Sequence, residues 1–149
     1  MGGLFGEGSG DLNWSLRMFN QRKNETSNTG FDFTDDTGQW NEPDWTANLQ
    51  VSYALDDLFA FVDFNYTGET DRNVEQTEPL QYIDQNGNPY TKVPSLMTVD
   101  IGATYQLTES LLIRASVQNA TDWYPDPIEI SIGRYTYGRT YNMGVTASF

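Results

Sequence analysis

Neither cysteine nor histidine occurs anywhere in the 149 residues. Without cysteine there is no disulfide framework and no thiolate metal site. Without histidine the commonest general base, the usual triad member and the main zinc ligand are gone. Acid–base chemistry would fall to carboxylates, so composition points away from an enzyme. Long apolar runs are missing too: the longest is Leu58-Phe59-Ala60-Phe61-Val62, far short of the roughly 20 residues a transmembrane helix needs. The opening Met1-Gly2-Gly3-Leu4-Phe5-Gly6 has neither a basic stretch nor an apolar one, so no signal peptide is read there. Positive charge is scarce, with 8 Lys and Arg against 21 Asp and Glu. The resulting net charge of −13 argues against nucleic acid as a partner.

What is present is alternation. Apolar side chains recur at every second residue in six segments, the period of a strand. Leu12, Trp14, Leu16 and Met18 alternate with Asn13, Ser15 and Arg17. Trp45 to Leu55 and Leu58 to Tyr66 repeat the pattern, as do Met97 to Tyr105, Leu111 to Val117 and Tyr141 to Phe149. The predicted strands lie near 11–19, 45–55, 58–66, 96–107, 111–119 and 135–149. All are longer than the roughly 5–6 residues common in globular proteins, and they reach the roughly 9–11 that a tilted strand needs to cross a bilayer.

The turns test the faces independently. If only Asp56 and Asp57 separate two strands, Leu55 opposes Leu58, and even positions oppose odd ones. A three-residue turn, Thr108-Glu109-Ser110, sets Leu107 opposite Leu111 and odd against odd. Both pairings join the apolar faces into one surface, whereas a slip of one residue would split them. The tight turns fall on one side and the long connections 20–44, 67–95 and 120–134 on the other. Short periplasmic turns and long external loops are the habit of outer-membrane barrels. Aromatics near the strand ends (Trp14, Trp45, Tyr53, Tyr66, Tyr105, Tyr141, Phe149) resemble interfacial girdles. The other face is small and polar, except for Phe59 and Phe61. The fold expected is all-β: an antiparallel up-and-down meander of about six long strands, part of a transmembrane β-barrel. The same alternation also suits a soluble sheet with one buried face.

Three stretches carry a resemblance. Val93 to Leu107 reads VPSLMTVDIGATYQL, Leu111 to Tyr124 reads LLIRASVQNATDWY, and Gly138 to Phe149 reads GRTYNMGVTASF. Together they resemble the C-terminal strands of TonB-dependent receptors. The most specific parts are Val117-x-Asn119-Ala120-x-Asp122-x-Tyr124 and the last strand ending in Phe149. The terminal Asn142-x-Gly144-x-x-Ala147-x-Phe149 is similar to the signal read by the barrel-assembly machinery. The resemblance implies a receptor that imports a scarce nutrient, such as an iron chelate, a cobalamin or an oligosaccharide. It implies as partners outer-membrane lipid, the assembly machinery, and the rest of the barrel with its plug domain. Nothing in the 149 residues resembles the plug, and six strands are far fewer than the roughly 22 of a plugged transporter. The chain therefore reads as a C-terminal fragment of the barrel, located in the bacterial outer membrane.

Other signals are weaker. Asp35-Asp36 with Glu42 and Asp44, and Asp84-Gln85-Asn86-Gly87-Asn88, offer hard oxygen ligands without full calcium-loop spacing. No metal or cofactor is expected. Trp40 and Trp123 sit in long loops, where aromatics can touch a ligand. Two further readings are a small outer-membrane protein that closes its barrel with several copies, and a soluble carbohydrate-binding β-domain using those tryptophans.

Overall fold

The structure is a computed structural model that describes residues 9–27, 29–39, 42–71, 92–124 and 137–148. Every long element is a strand: β1 (Asp11–Asn20), β4 (Trp45–Leu55), β5 (Leu58–Thr67), β8 (Leu96–Thr108), β9 (Leu111–Gln118) and β10 (Thr140–Ala147). Four two-residue strands lie in the connections: β2 (Glu25–Thr26) pairs with β3 (Thr34–Asp35), and β6 (Thr70–Asp71) with β7 (Lys92–Val93). The long strands form one six-stranded sheet, ordered β1-β4-β5-β8-β9-β10 and antiparallel throughout. This is the expected meander.

Register turns the alternation into two chemically distinct faces. One row crosses all six strands as Trp14, Val51, Val62, Ile101, Val117 and Tyr141. The row beside it reads Leu12, Tyr53, Ala60, Ala103, Ala115 and Met143. On the reverse side run Asn13, Ser52, Phe61, Gly102, Ser116 and Asn142. The apolar rows are not covered by a second layer. Trp14 is 70% exposed and Met143 86%, and Val93 is the single fully buried apolar side chain among the described residues. A soluble sheet of this size would bury such a face. Here the sheet is a wall without an interior of its own.

Both tight turns keep the expected parity, one of them by a different route. Leu55 opposes Leu58 across Asp56 and Asp57, and Asp56 takes φ 46°, a left-handed conformation Asp tolerates. At the second turn only Glu109 and Ser110 are left over, because Thr108 pairs with Leu111. Leu107 is the extra residue of a bulge between Gln106 and Thr108, and Tyr105 then faces Ile113, odd against odd. The Gln106 side-chain amide donates to the Thr108 carbonyl at 2.6 Å and fastens the irregularity.

The last strand is shorter than its expected span of 135–149. Residues 137–139 are not strand, and pairing begins at Thr140. The cause is local: the Arg139 N–H donates to Asp122 Oδ1 at 2.9 Å rather than to a neighbouring strand. β9 likewise stops at Gln118, before the position expected, because Asn119 turns to φ 50°.

Candidate functional site

Three places carry chemistry: the polar face, the root of the loop after β9, and the terminal strand. On the polar face Asp63 lies directly opposite Asp100, with Asn48 and Asn65 one pair further along. The Asn48 amide donates to Asn65 Oδ1 at 2.8 Å, so these two satisfy each other. Facing carboxylates repel, but Asp100 is put to use by accepting the Asn119 N–H at 2.8 Å.

Phe61 and Arg114, large side chains on this face, both rest on glycine. The Phe61 ring lies on Gly102, where an added Cβ would come within 2.5 Å of Cε1. Arg114 crosses Gly144, where a Cβ would come within 2.6 Å of Nε. Between the two lies a groove of about 420 Å³, walled by Phe61, Thr104, Arg114, Ser116 and Asn142. Phe59 stacks at an angle beside Phe61, with centroids 6.3 Å apart. Phe61 is thus accommodated on a wet face because a glycine on the next strand leaves it room.

The loop root is densely bonded. Asn119 is 4% exposed. Its amide donates to the carbonyls of Trp123 at 2.7 Å and Tyr137 at 3.2 Å. Its Oδ1 accepts from the Trp123 N–H at 3.0 Å and the Thr121 hydroxyl at 3.2 Å. Ala120 N–H reaches back to the Val99 carbonyl at 2.7 Å, and Asp122 N–H to the Asn119 carbonyl at 2.8 Å. The backbone around Trp123 is therefore fixed from both sides, and its side chain is half-buried. A cavity of about 220 Å³ opens beside this root, lined by Asp100, Gln118, Asn119 and Thr140 among others.

The residues singled out in sequence are not gathered in one place. Asn142 and Gly144 share the polar face of β10, while Ala147 ends that strand opposite Leu111. Phe149 and Trp40 lie outside the described residues, as does the 84–88 turn. Of the carboxylates at 35–44, Asp35 and Asp36 bond within the loop. Asp35 Oδ1 accepts from the Asn24 N–H, the Thr37 N–H and the Thr37 hydroxyl, and Asp36 accepts from the Thr26 hydroxyl. The Thr37 hydroxyl, followed by the two backbone N–H groups, holds the Asp35 carboxyl below its ordinary pKa. Among the described residues no three carboxylates stand where they could hold a metal ion.

The packing of Phe61 on Gly102 and of Arg114 over Gly144, and the bonding role of Asn119, escape a reading of sequence alone. Phe59 and Phe61 on a polar face were the visible anomalies. The glycine that makes room for Phe61 lies across a connection of 28 residues, 68–95, too long to fix a register.

The comparisons with known proteins bear on the whole sheet. The family described as TonB dependent receptor-like, beta-barrel, matches residues 5–120. Among solved structures, a mutant of the ferric enterobactin receptor PfeA from Pseudomonas aeruginosa superposes with a TM-score of 0.55 at 20% identity, covering 97% of this chain and 20% of that one. A second mutant of the same receptor, in complex with enterobactin, gives 0.55 at 19% identity, over 98% of this chain and 21% of that one. The likeness is one of fold, and the chain spans about a fifth of the length of these receptors. No curated protein matches it.

Proposed function

The chain belongs to the TonB-dependent receptor-like β-barrel family, and from that premise we propose that it is a C-terminal wall segment of an outer-membrane receptor for nutrient uptake. One observation carries the reading: an apolar row runs unbroken from Trp14 to Tyr141 across six strands and is left uncovered, with a polar row behind it. In water such a face is costly, at about 25 cal/mol for each Å² of apolar surface. Against hydrocarbon it costs nothing, while the polar face meets a wet or plug-filled lumen.

The edges set the partners. β1 and β10 each have one neighbour in the sheet. In lipid every unpaired backbone group costs several kcal/mol, so both edges require further strands. The rest of a barrel, with a plug inside it, supplies them. The segment contributes wall and loop and carries out no reaction of its own. Asn142, Gly144, Ala147 and Phe149 serve as the signal for the barrel-assembly machinery. Trp40 and Trp123 are the loop aromatics to test against ligand. The ferric enterobactin receptors among similar structures support an iron chelate as the first substrate to try, ahead of a cobalamin or an oligosaccharide.

The test uses the absence of cysteine. Single cysteines are placed at Ile101 and Tyr141 on the apolar face, and at Thr104 and Ser116 on the polar face, in cells expressing the protein. The expected result is recovery with the outer membrane, with only the polar-face pair reacting with a water-soluble maleimide. Equal labelling of both faces, or recovery as a soluble monomer, defeats the proposal.

A further inference from the structure

Register in this sheet is selected by two different means. β4 with β5, and β8 with β9, are joined by two-residue turns, and a short turn fixes the pairing by its geometry. Residues 119–139 join β9 to β10, a connection too long to do so. Apolar patterning cannot choose either. A slip of two residues along β10 keeps Tyr141, Met143 and Val145 on the apolar face and merely exchanges them opposite Val117, Ala115 and Ile113. Something else must hold Asn142 opposite Ser116.

Two features discriminate between the registers, one at the end of the strand and one in its middle. At the end, Asn119 closes β9 and its amide reaches the Tyr137 carbonyl, while Asp122 Oδ1 accepts the Arg139 N–H at 2.9 Å, one residue before β10 begins. Asn119 and Asp122 both hold left-handed backbone, φ 50° and 56°. Asn and Asp tolerate that conformation and most other residues do not. The two sides of the connection are thus tied to one another at a fixed offset. In the middle, Arg114 crosses the strand where Gly144 leaves space for it. A slip of two would bring Asn142 or Thr146 to that point, and a side chain there would push the guanidinium aside.

We infer that Asn119 and Asp122, together with the fit of Arg114 over Gly144, set the register of the terminal strand, so that its open edge is offered to the strand beyond it in one alignment only. Gly144 is then small for the sake of Arg114. This role is separate from any part it plays in an assembly signal, and it holds whatever the receptor imports.

Cysteine pairs read the register directly, since the chain has no cysteine of its own. In membranes of cells expressing the protein, Ala115→Cys with Met143→Cys reports the observed pairing. Ala115→Cys with Tyr141→Cys, and Val117→Cys with Met143→Cys, report slips of two residues in either direction. With the loop root intact only the first pair is expected to cross-link. Asp122→Ala is expected to raise the slipped products about tenfold, which is what one lost hydrogen bond to a charged group is worth. Native cross-links alone in that variant would overturn the inference. Should Asp122→Ala not reach the membrane, Asp122→Asn decides, because it keeps the acceptor oxygen: native pairing supports the inference and mixed pairing overturns it. Gly144→Ala tests the middle. Its loss of native cross-linking should be restored by Arg114→Ser, and a failure of that rescue removes Arg114 from the argument.

Discussion

Replacing Gly102 with alanine sets a methyl group against an aromatic ring that leaves it no space. Gly102 sits on β8 opposite Phe61 of β5 and is buried under its ring. A Cβ there would lie 2.5 Å from Cε1, 2.6 Å from Cζ and 3.4 Å from Cδ1, against the roughly 3.5–4.0 Å that carbon atoms keep. The ring must therefore withdraw by about 1 Å or rotate off the strand. The move also disturbs its contact with Phe59 at 6.3 Å, a type of contact worth about 0.5–1.5 kcal/mol. Overpacking costs about 1–3 kcal/mol, and the entropy gained by replacing a strand glycine returns about 0.5–1 kcal/mol. The net expectation is a loss of about 1–2 kcal/mol.

The assay is urea unfolding of the chain in detergent micelles, followed by the fluorescence of its 4 tryptophans, in a cycle with Phe61→Ala. In the wild-type background Gly102→Ala should lower the midpoint. In the Phe61→Ala background, where the space is empty, it should leave the midpoint unchanged or raise it. A coupling of about 1–3 kcal/mol is expected for two groups in contact. If Gly102→Ala destabilises both backgrounds equally, the glycine is there for some reason other than the ring, and the packing argument fails.

Neighbouring residues on opposite faces should respond in opposite ways to charge. Val62→Arg puts a cation among hydrocarbon tails at a cost of about 2–4 kcal/mol near the midplane, whereas Asp63→Arg faces the lumen and relieves the repulsion with Asp100; the yield of folded, membrane-inserted protein compares them. Asp35 has its pKa lowered, chiefly by the Thr37 hydroxyl and the Asn24 N–H. Its contribution is complete above the ordinary carboxylate value and is lost as pH falls through the lower folded one, so the β2–β3 hairpin should loosen only in acid, as an NMR titration of the Thr37 amide would show, and Asp35→Ala should abolish the transition. Lys92 has its pKa raised, chiefly by Glu69, at 2.8 Å. Its hold on β6 and β7 is present below the ordinary lysine value and lost as pH rises through the raised one; Lys92→Met should speed amide exchange at Asp71, and unchanged exchange would mean the ion pair is ornamental.

The faces of this sheet were legible in sequence because they are decided by averages. Each long strand repeats its choice of apolar or polar several times, and a slip of one residue would reverse all of them at once. The turn at 109–110 shows the limit of that reasoning. A three-residue turn and a two-residue turn beside a bulge give the same parity, so the alternation located Leu111 on the correct face while leaving Leu107 in the wrong role. Parity is blind to even slips as well, and these are what the long connections permit.

Where the connections are long, register is decided at single positions. Asn119 bonds to backbone, Gly102 leaves room for one ring, and Gly144 leaves room for one guanidinium. Each is a contact at one position rather than a repeat along a strand, so no period announces it. Asn119 and Asp122 stood out in sequence only by resemblance; their work became visible once Asp100, Trp123, Tyr137 and Arg139 were found around them. The same division places the chemistry of the wall. Surfaces that meet lipid or lumen are continuous and tolerate substitution within their class, whereas the residues that align one strand with the next are few, mostly small or polar, and confined to loop roots and the polar face. A fold of this kind should accordingly absorb exchanges such as Val62→Ile within β5 with little effect and fail at Asn119, just past the end of β9.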